Sequence, residues 1–403
     1  MEPRDSPAEA AFRAEARVWL SAHAQRHTRP PVAPSTIVAE WKPEEEEENL
    51  ARARAWQRRK FDAGWAGINW PAAYGGRGGT AMEAIIFRQE ESAYDVGSDA
   101  LAVGIGWCGP AVLVMGTEFQ RRRYLPPLLA GDEMWCQLFS EPSAGSDLAG
   151  LSTRATRDGD DWTISGQKVW STFAHRSKWG LCIARHTGDG GHAGEHVDRH
   201  GGLTAFIVDL ESAGVICRPL RQMTDSSNFN EVYLEEVRVP DDRRVGEVGD
   251  GWRVVITTFM YERMAAALPR LSAIDALADL VRSPRMAAPE SISDLYLKGR
   301  VLQFTSLRAL TTFSMGRLPG PEGSLGKLVW SSLLTEVYDR GLGVLGAHGL
   351  LSDHDAPSNG QWQDAFLGAP GLRIGGGTDQ IQRNIIAERI LGLPRDPRSR
   401  APG

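Results

Sequence analysis

Glu262 and Arg263 stand side by side in Phe259-Met260-Tyr261-Glu262-Arg263-Met264-Ala265-Ala266-Ala267. A carboxylate flanked by apolar residues on a helix is partly desolvated. That setting favours its protonated form and suits it to taking a proton from carbon. The same pattern also fits a structural Glu–Arg pair inside a bundle. Two other stretches offer binding chemistry. Phe139-Ser140-Glu141-Pro142-Ser143-Ala144-Gly145-Ser146-Asp147 follows the apolar run from Met134 and presents hydroxyls and backbone N–H groups. It precedes a strand-like segment ending in Gln167-Lys168-Val169-Trp170-Ser171-Thr172, whose indole suits a flat, polar-edged cofactor. Read as turns, the same Gly, Pro, Ser and Asp residues need no ligand. Near the C-terminal end, Arg373-Ile374-Gly375-Gly376-Gly377-Thr378-Asp379-Gln380-Ile381-Gln382-Arg383 enters a helix. Asp379 with Gln382 predicts a capping pair, and helix-start N–H groups can receive an anion or a cofactor edge.

Two further motifs carry less. Gly104-Ile105-Gly106-Trp107-Cys108-Gly109 matches G-x-G-x-x-G, but its surroundings read helical and no βαβ frame precedes it. His192-Ala193-Gly194-Glu195-His196 matches an inverted zinc-protease pattern. Six glycines between positions 188 and 202 oppose the helix that such a site needs, so a polar loop is expected and no resident metal.

The elements that must position these residues follow from periodicity. Apolar residues at helical spacing run through Phe12, Ala16, Trp19 and Leu20. The acidic run Glu44–Glu48 opens a second helix, complementing its dipole. Gly64 to Gly79 reads as loop, and helical patterns resume over 82–92 and 110–129. From Met134 the period shortens. Strands are predicted at 162–164, 181–184, 204–208 and 231–234, with Asp158-Gly159 as a hairpin turn. After Gly251 helices return, over 254–265, 291–314, 325–346 and 379–391. The expected organisation is a helical domain over 1–133, a β domain over 134–240 and a helical domain over 241–403.

Bulk properties exclude several classes. The chain has 403 residues, 42% hydrophobic and 24% charged, which is globular. Lys and Arg number 45 against 51 Asp and Glu, a net charge of −6, and this argues against nucleic acid as main partner. The uncharged run from Ala100 to Thr117 is too short and too broken by Gly and Pro for a membrane span. Cys108, Cys136, Cys182 and Cys217 lack close spacing, and the N-terminus lacks an apolar leader. Buried thiols in a reducing cytoplasm are expected.

Taken together, Ser140–Asp147, Gly166–Thr172 and the run Gly377-Thr378-Asp379-Gln380-Ile381-Gln382-Arg383-Asn384-Ile385-Ile386-Ala387-Glu388-Arg389 resemble the acyl-CoA dehydrogenase family along nearly the whole chain. The ending Ile390-Leu391-Gly392-Leu393-Pro394 resembles actinobacterial-type members. The resemblance implies an α+β fold with an N-terminal helical domain, a central β-barrel-like domain and a C-terminal four-helix bundle. It also implies non-covalently bound FAD and a cytoplasmic homodimer or homotetramer acting in lipid metabolism. Phe139 and Ser140 would contact the flavin ring, with Gly145 in the same loop. Ser146 would lie near the pyrophosphate or the acyl thioester, and Trp170 and Thr172 would cover another flavin edge. Thr378 and Gln380 would reach the adenine half. Leu345-Gly346-Ala347-His348-Gly349 resembles a family segment that approaches FAD from the neighbouring subunit, though it departs at Ala347 and His348. Arg282 and Arg285 are candidates for the family's pyrophosphate arginine.

The main departure concerns the base. Many members carry a catalytic Glu at the position that is Gly376 here. Another branch places it on the first long helix of the C-terminal domain, where Glu262 falls. The resemblance therefore implies that Glu262 removes the α-proton of an acyl thioester, carried by coenzyme A or an acyl carrier protein, while flavin N5 takes the β-hydride. Arg263 would be a substrate-side cation, and the Gly376 N–H would stabilise the developing enolate oxygen. The loss of side chain at Gly376 would leave room for a branched, cyclic or polyketide-like acyl group. Electrons would pass to an electron-transfer flavoprotein. Alternatives on the same fold are a flavin monooxygenase or oxidase, or a half-site subunit of a hetero-oligomeric dehydrogenase. More remote is a zinc hydrolase.

Overall fold

The first helix starts where its chemistry allows. Ser6 accepts from the Glu9 N–H while Glu9 reaches back to the Ser6 N–H, and Pro7 fills the first turn. This computed structural model describes residues 5–28, 31–32, 41–187, 199–266, 271–282, 292–314 and 320–395. It divides into two units, residues 1–26 with 38–261, and residues 27–37 with 262–403.

In the first unit, α1 (Pro7–His23), α2 (Pro43–Asp62) and α3 (Ala81–Glu91) pack a core of Phe12, Leu20, Trp56, Trp65, Ile86 and Phe87. The acidic first turn of α2 is as expected, but Glu46 within it is buried. It accepts from Arg176 Nε at 2.7 Å and lies 2.9 Å from His175 Nε2. The helical stretch predicted over 110–129 is two helices, α4 (Gly109–Met115) and α5 (Glu118–Ala130). Gly116 turns extended between them, and a reciprocal Thr117–Gln120 cap restarts the helix. The G-x-G-x-x-G match is a π-turn running into α4. A β-carbon at Gly104 or Gly109 would lie 2.8 Å from Leu128 or 2.5 Å from Trp70, so these glycines serve helix packing.

The strands are β1 (Trp135–Leu138), β2 (Arg154–Asp158), β3 (Asp161–Thr172), β4 (Trp179–Thr187), β5 (Leu203–Asp209), β6 (Val215–Leu220), β7 (Phe229–Pro240) and β8 (Arg244–Val245). They form one eight-stranded sheet in the order β6-β7-β3-β2-β4-β5-β8, with β1 parallel to β4. The β2–β3 hairpin turns at Gly159, φ 63°, where Asp158-Gly159 predicts it. Its core includes Trp162, Ile164, Phe206, Val232 and Val237. Cys108, Cys136 and Cys182 are buried and Cys217 is half-buried.

α6 (Gly251–Ala266) begins in the first unit and carries Glu262, the first residue of this part of the second. The second unit continues with α7 (Ser272–Arg282), α8 (Ser293–Ser314), α9 (Glu322–Leu345), α10 (Gln361–Leu372) and α11 (Asp379–Ile385). Their apolar faces meet around Leu277, Leu295, Leu302, Leu333, Tyr338 and Trp362. Helices at 272–282 and 361–372 go beyond the sequence reading. Among the described residues no helix is long and apolar enough to cross a membrane.

Candidate active site

In the first unit the two stretches singled out above are joined directly. Val169 N–H donates to Ser140 O at 2.9 Å. Lys168 Nζ, wholly buried on β3, donates to Phe139 O at 3.1 Å and to Glu141 Oε1 at 2.9 Å. Glu141 Oε1 also accepts from Thr153 N–H at 2.9 Å, and Oε2 accepts from the Ser152 N–H and hydroxyl, each at 2.7 Å. Burial pushes the Glu141 carboxyl upward. The Lys168 charge and the Thr153 and Ser152 donors outweigh it, holding the group at about 2. This buried pair fixes where the loop leaves β1. Neither Glu141 nor Lys168 has a role in the sequence reading, although both lie within its motifs.

The β3–β7 register shifts between Lys168 and Ser171. Trp170, in that bulge, takes φ 59°, and its side chain is left 60% exposed, edge-on to Phe229 at 5.9 Å. A bulge re-aims a side chain, and bulges are over-represented next to active sites. Thr172 is buried two residues on, Ser140 is half-buried, and Gly145 and Ser146 are exposed. A β-carbon at Gly145 would meet nothing within 4 Å. An uncovered indole on a strand bonded through Val169 to the Ser140 loop, with open backbone at Gly145, suits a planar group with polar edges and fits FAD.

The second unit brings Glu262 and Gly376 together. Glu262 is 8% exposed. Gly376 has φ 66°, and an ideal β-carbon there would lie 2.8 Å from Glu262 Oε1. The Glu262 carboxylate therefore borders the point where a side chain at position 376 would begin. Arg263 lies on α6, but its side chain is outside the described residues.

The loop after α10 is held by charges that the sequence reading overlooks. Lys327 on α9 is buried and donates to Gly377 O at 2.7 Å. Gln382 Nε2 donates to Gly376 O at 2.9 Å and Gly377 O at 3.2 Å. Asp379 is buried and pairs with Arg373 Nε at 2.7 Å. The expected Asp379–Gln382 cap is not formed. Thr378 is the cap, its hydroxyl accepting from Ile381 N–H at 3.2 Å, which turns Asp379 and Gln382 inward. One signal was available for Lys327, a lone charge in Leu325-Gly326-Lys327-Leu328-Val329-Trp330.

The remaining candidates are spread out. Gln380 is exposed on α11. Gly346 ends α9 with φ 56°, exposed, ahead of the tight turn through Ala347 and His348. Arg282 pairs with Asp279 at 3.1 Å and points to solvent. Arg285 and the His192–His196 motif lie outside the described residues.

Comparison with known proteins extends over the whole chain. Family models described as the N-terminal, middle and C-terminal domains of acyl-CoA dehydrogenase match residues 6–132, 136–237 and 249–391. The chain is 35% identical over 394 residues to acyl-CoA dehydrogenase IpdE1 of Mycobacterium tuberculosis, covering 96% of this chain and 98% of that one. Among solved structures it resembles a variant of the Tcur3481–Tcur3483 steroid ACAD, with TM-score 0.78, 25% identity and coverage of 96% and 99%. It also resembles the ChsE4–ChsE5 complex from Mycobacterium tuberculosis, with TM-score 0.75, 27% identity and coverage of 98% and 100%.

Proposed function

Because this chain belongs to the acyl-CoA dehydrogenase family, whose members are flavin oxidoreductases acting on CH–CH bonds, we propose that Glu262 is its catalytic base. The reaction is acyl-CoA dehydrogenation, a step of lipid metabolism. Glu262 takes the α-proton of the acyl group on its carboxylate. The Gly376 N–H stabilises the thioester oxygen as negative charge develops, a contribution of roughly 3–4 kcal/mol for one preorganised donor. Arg263 orients the substrate. FAD, when bound, supplies the acceptor for the β-hydride.

One observation carries this reading. Glu262 Oε1 stands 2.8 Å from the point where a side chain at Gly376 would begin. The two places from which this family supplies a base therefore converge on one volume, and only Glu262 has a proton acceptor to put there. A side chain at 376 would force the Glu262 carboxylate to shift.

Phe139, Ser140, Gly145, Ser146, Trp170, Thr172, Thr378 and Gln380 would hold the cofactor, and Gly346 would approach it from a neighbouring subunit. Electrons would leave through an electron-transfer flavoprotein or similar acceptor. The neighbour named as a steroid ACAD makes ring-bearing acyl groups the first class to test, and the neighbour named as a complex makes a second type of subunit a partner to test alongside homo-oligomers.

The test is anaerobic bleaching of the yellow holoprotein by a panel of straight-chain, branched and ring-bearing CoA thioesters. Glu262→Gln should keep its FAD and lower the bleaching rate by about 10²–10⁴-fold. Bleaching at the wild-type rate would place the base elsewhere.

A further inference from the structure

Lys327 is an unusual presence. A buried ammonium costs several kcal/mol unless something compensates it, yet its side chain is only 5% exposed. Asp379 is its ion-pair partner, at long range. Asp379 Oδ1 is 3.9 Å from Nζ, and the same carboxylate is already neutralised by Arg373 at 2.7 Å. The short contact that Lys327 makes is with a backbone oxygen, Gly377 O, at 2.7 Å. Burial pushes the Lys327 ammonium down, while the negative charges of Asp379 and Glu262 pull it up and Arg373 pushes it down again. Among the described residues, Lys327 thus lies within the field of the carboxylate beside Gly376.

Geometry joins the two. Gly376 abuts Glu262, Gly377 follows it, and the carbonyls of both are held, by Gln382 and by Gln382 with Lys327. We propose that Lys327 is a positioning residue for the reaction, anchoring the glycine loop against Glu262 and holding the Glu262 carboxylate in its ionised form. The inference rests on Glu262 being the base; the double-mutant cycle in its test does not. Glu262 must be anionic to accept a proton, and a carboxylate that loses solvent needs a cation to remain so. Lys327 adds positive charge to that setting from α9, through the loop it holds at Gly377 O, and it need not touch substrate.

Hydrogen bond and charge can be separated. Lys327→Gln retains a donor for Gly377 O and removes the charge. Lys327→Met removes both. In the holoprotein, with the CoA thioester that bleaches wild type fastest, both variants should shift the acid limb of the bleaching profile to higher pH. Below the limb the rate should fall roughly tenfold. A double-mutant cycle on urea midpoints, using Lys327→Gln and Glu262→Gln, should show coupling between the two sites. This cycle needs no turnover and reads out even if Glu262 proves not to be the base. A purely structural lysine would lower the midpoint in Lys327→Met and leave the pH profile where it was. A Lys327→Gln profile superimposable on wild type, or strictly additive midpoints, would overturn the proposal. If only Glu262→Gln bleaches normally while the coupling persists, the base assignment fails and the electrostatic link stands.

Discussion

Each unit holds one candidate loop with a buried lysine, and the two lysines are used differently. In the loop after β1, Lys168 contacts Glu141 at 2.9 Å, and every oxygen of that carboxylate has further donors from Ser152 or Thr153. In the loop before α11, Lys327 stands 3.9 Å from Asp379, whose close partner is the half-exposed Arg373. The first pair is saturated, and its charge is spent within the clamp. In the second, Arg373 takes the close place on Asp379 and Lys327 the distant one, and Lys327 also feels the negative charge of Glu262. The difference teaches how a fold can use the same two residue types once for rigidity and once for electrostatics.

Breaking the saturated pair should have the largest effect. Lys168→Met leaves Glu141 charged and buried, and should cost about 3–5 kcal/mol in urea unfolding. The double variant Lys168→Met with Glu141→Met should recover most of that, because an apolar replacement leaves no unpaired charge. A single variant within 1 kcal/mol of wild type would show that the pair does not hold the loop.

Acid should distinguish the two loops next. The Glu141 carboxyl lies at about 2 when folded, below its ordinary 4.5. It therefore contributes stability above pH 4.5 that is lost as pH falls toward 2, on the order of 3 kcal/mol. Lys327 is also held below its ordinary value of 10.5. Its sign is the same but its window is alkaline, so stability rises as pH climbs toward 10.5. Comparing wild type with the Lys168–Glu141 double variant should flatten only the acid limb, and with Lys327→Met only the alkaline limb. An acid limb unchanged in the double variant would mean that other carboxylates dominate it.

The sequence makes some of this contrast legible. The α–β–α order, the Asp158-Gly159 hairpin and the three motif stretches follow from periodicity and turn chemistry, which are local. Glu262 as the alternative to a base at position 376 follows from the family resemblance. What the sequence hides is long range. Nothing near Lys168 says that Glu141, 27 positions away, lies against it. Nothing near Lys327 says that a loop 50 positions later offers it a carbonyl. The D-x-x-Q reading misplaces the cap by one residue because Thr378 and Asp379 are both good caps. Burial of Asp379 beside Arg373 and Ser331 decides between them. The bulge at Trp170 is equally silent, since a register shift belongs to the pairing with β7 and not to β3 alone.

The smallest effects separate the loops at single glycines. Gly145 has nothing within 4 Å of a β-carbon, so Gly145→Ala should change stability by no more than about 0.5–1 kcal/mol, with the unfolded chain's lost freedom favouring alanine. Gly376 has a left-handed backbone and the Glu262 oxygen 2.8 Å from the new carbon. Gly376→Ala should cost about 1–2 kcal/mol from the backbone alone, with a further loss from the contact. The two parts can be told apart by making the same change in a Glu262→Ala background. There the contact is gone and only the backbone part remains, so the loss should shrink. An equal loss in both backgrounds would mean that the Glu262 carboxylate does not occupy the volume beside Gly376, and with it would go the observation on which the assignment of the base rests.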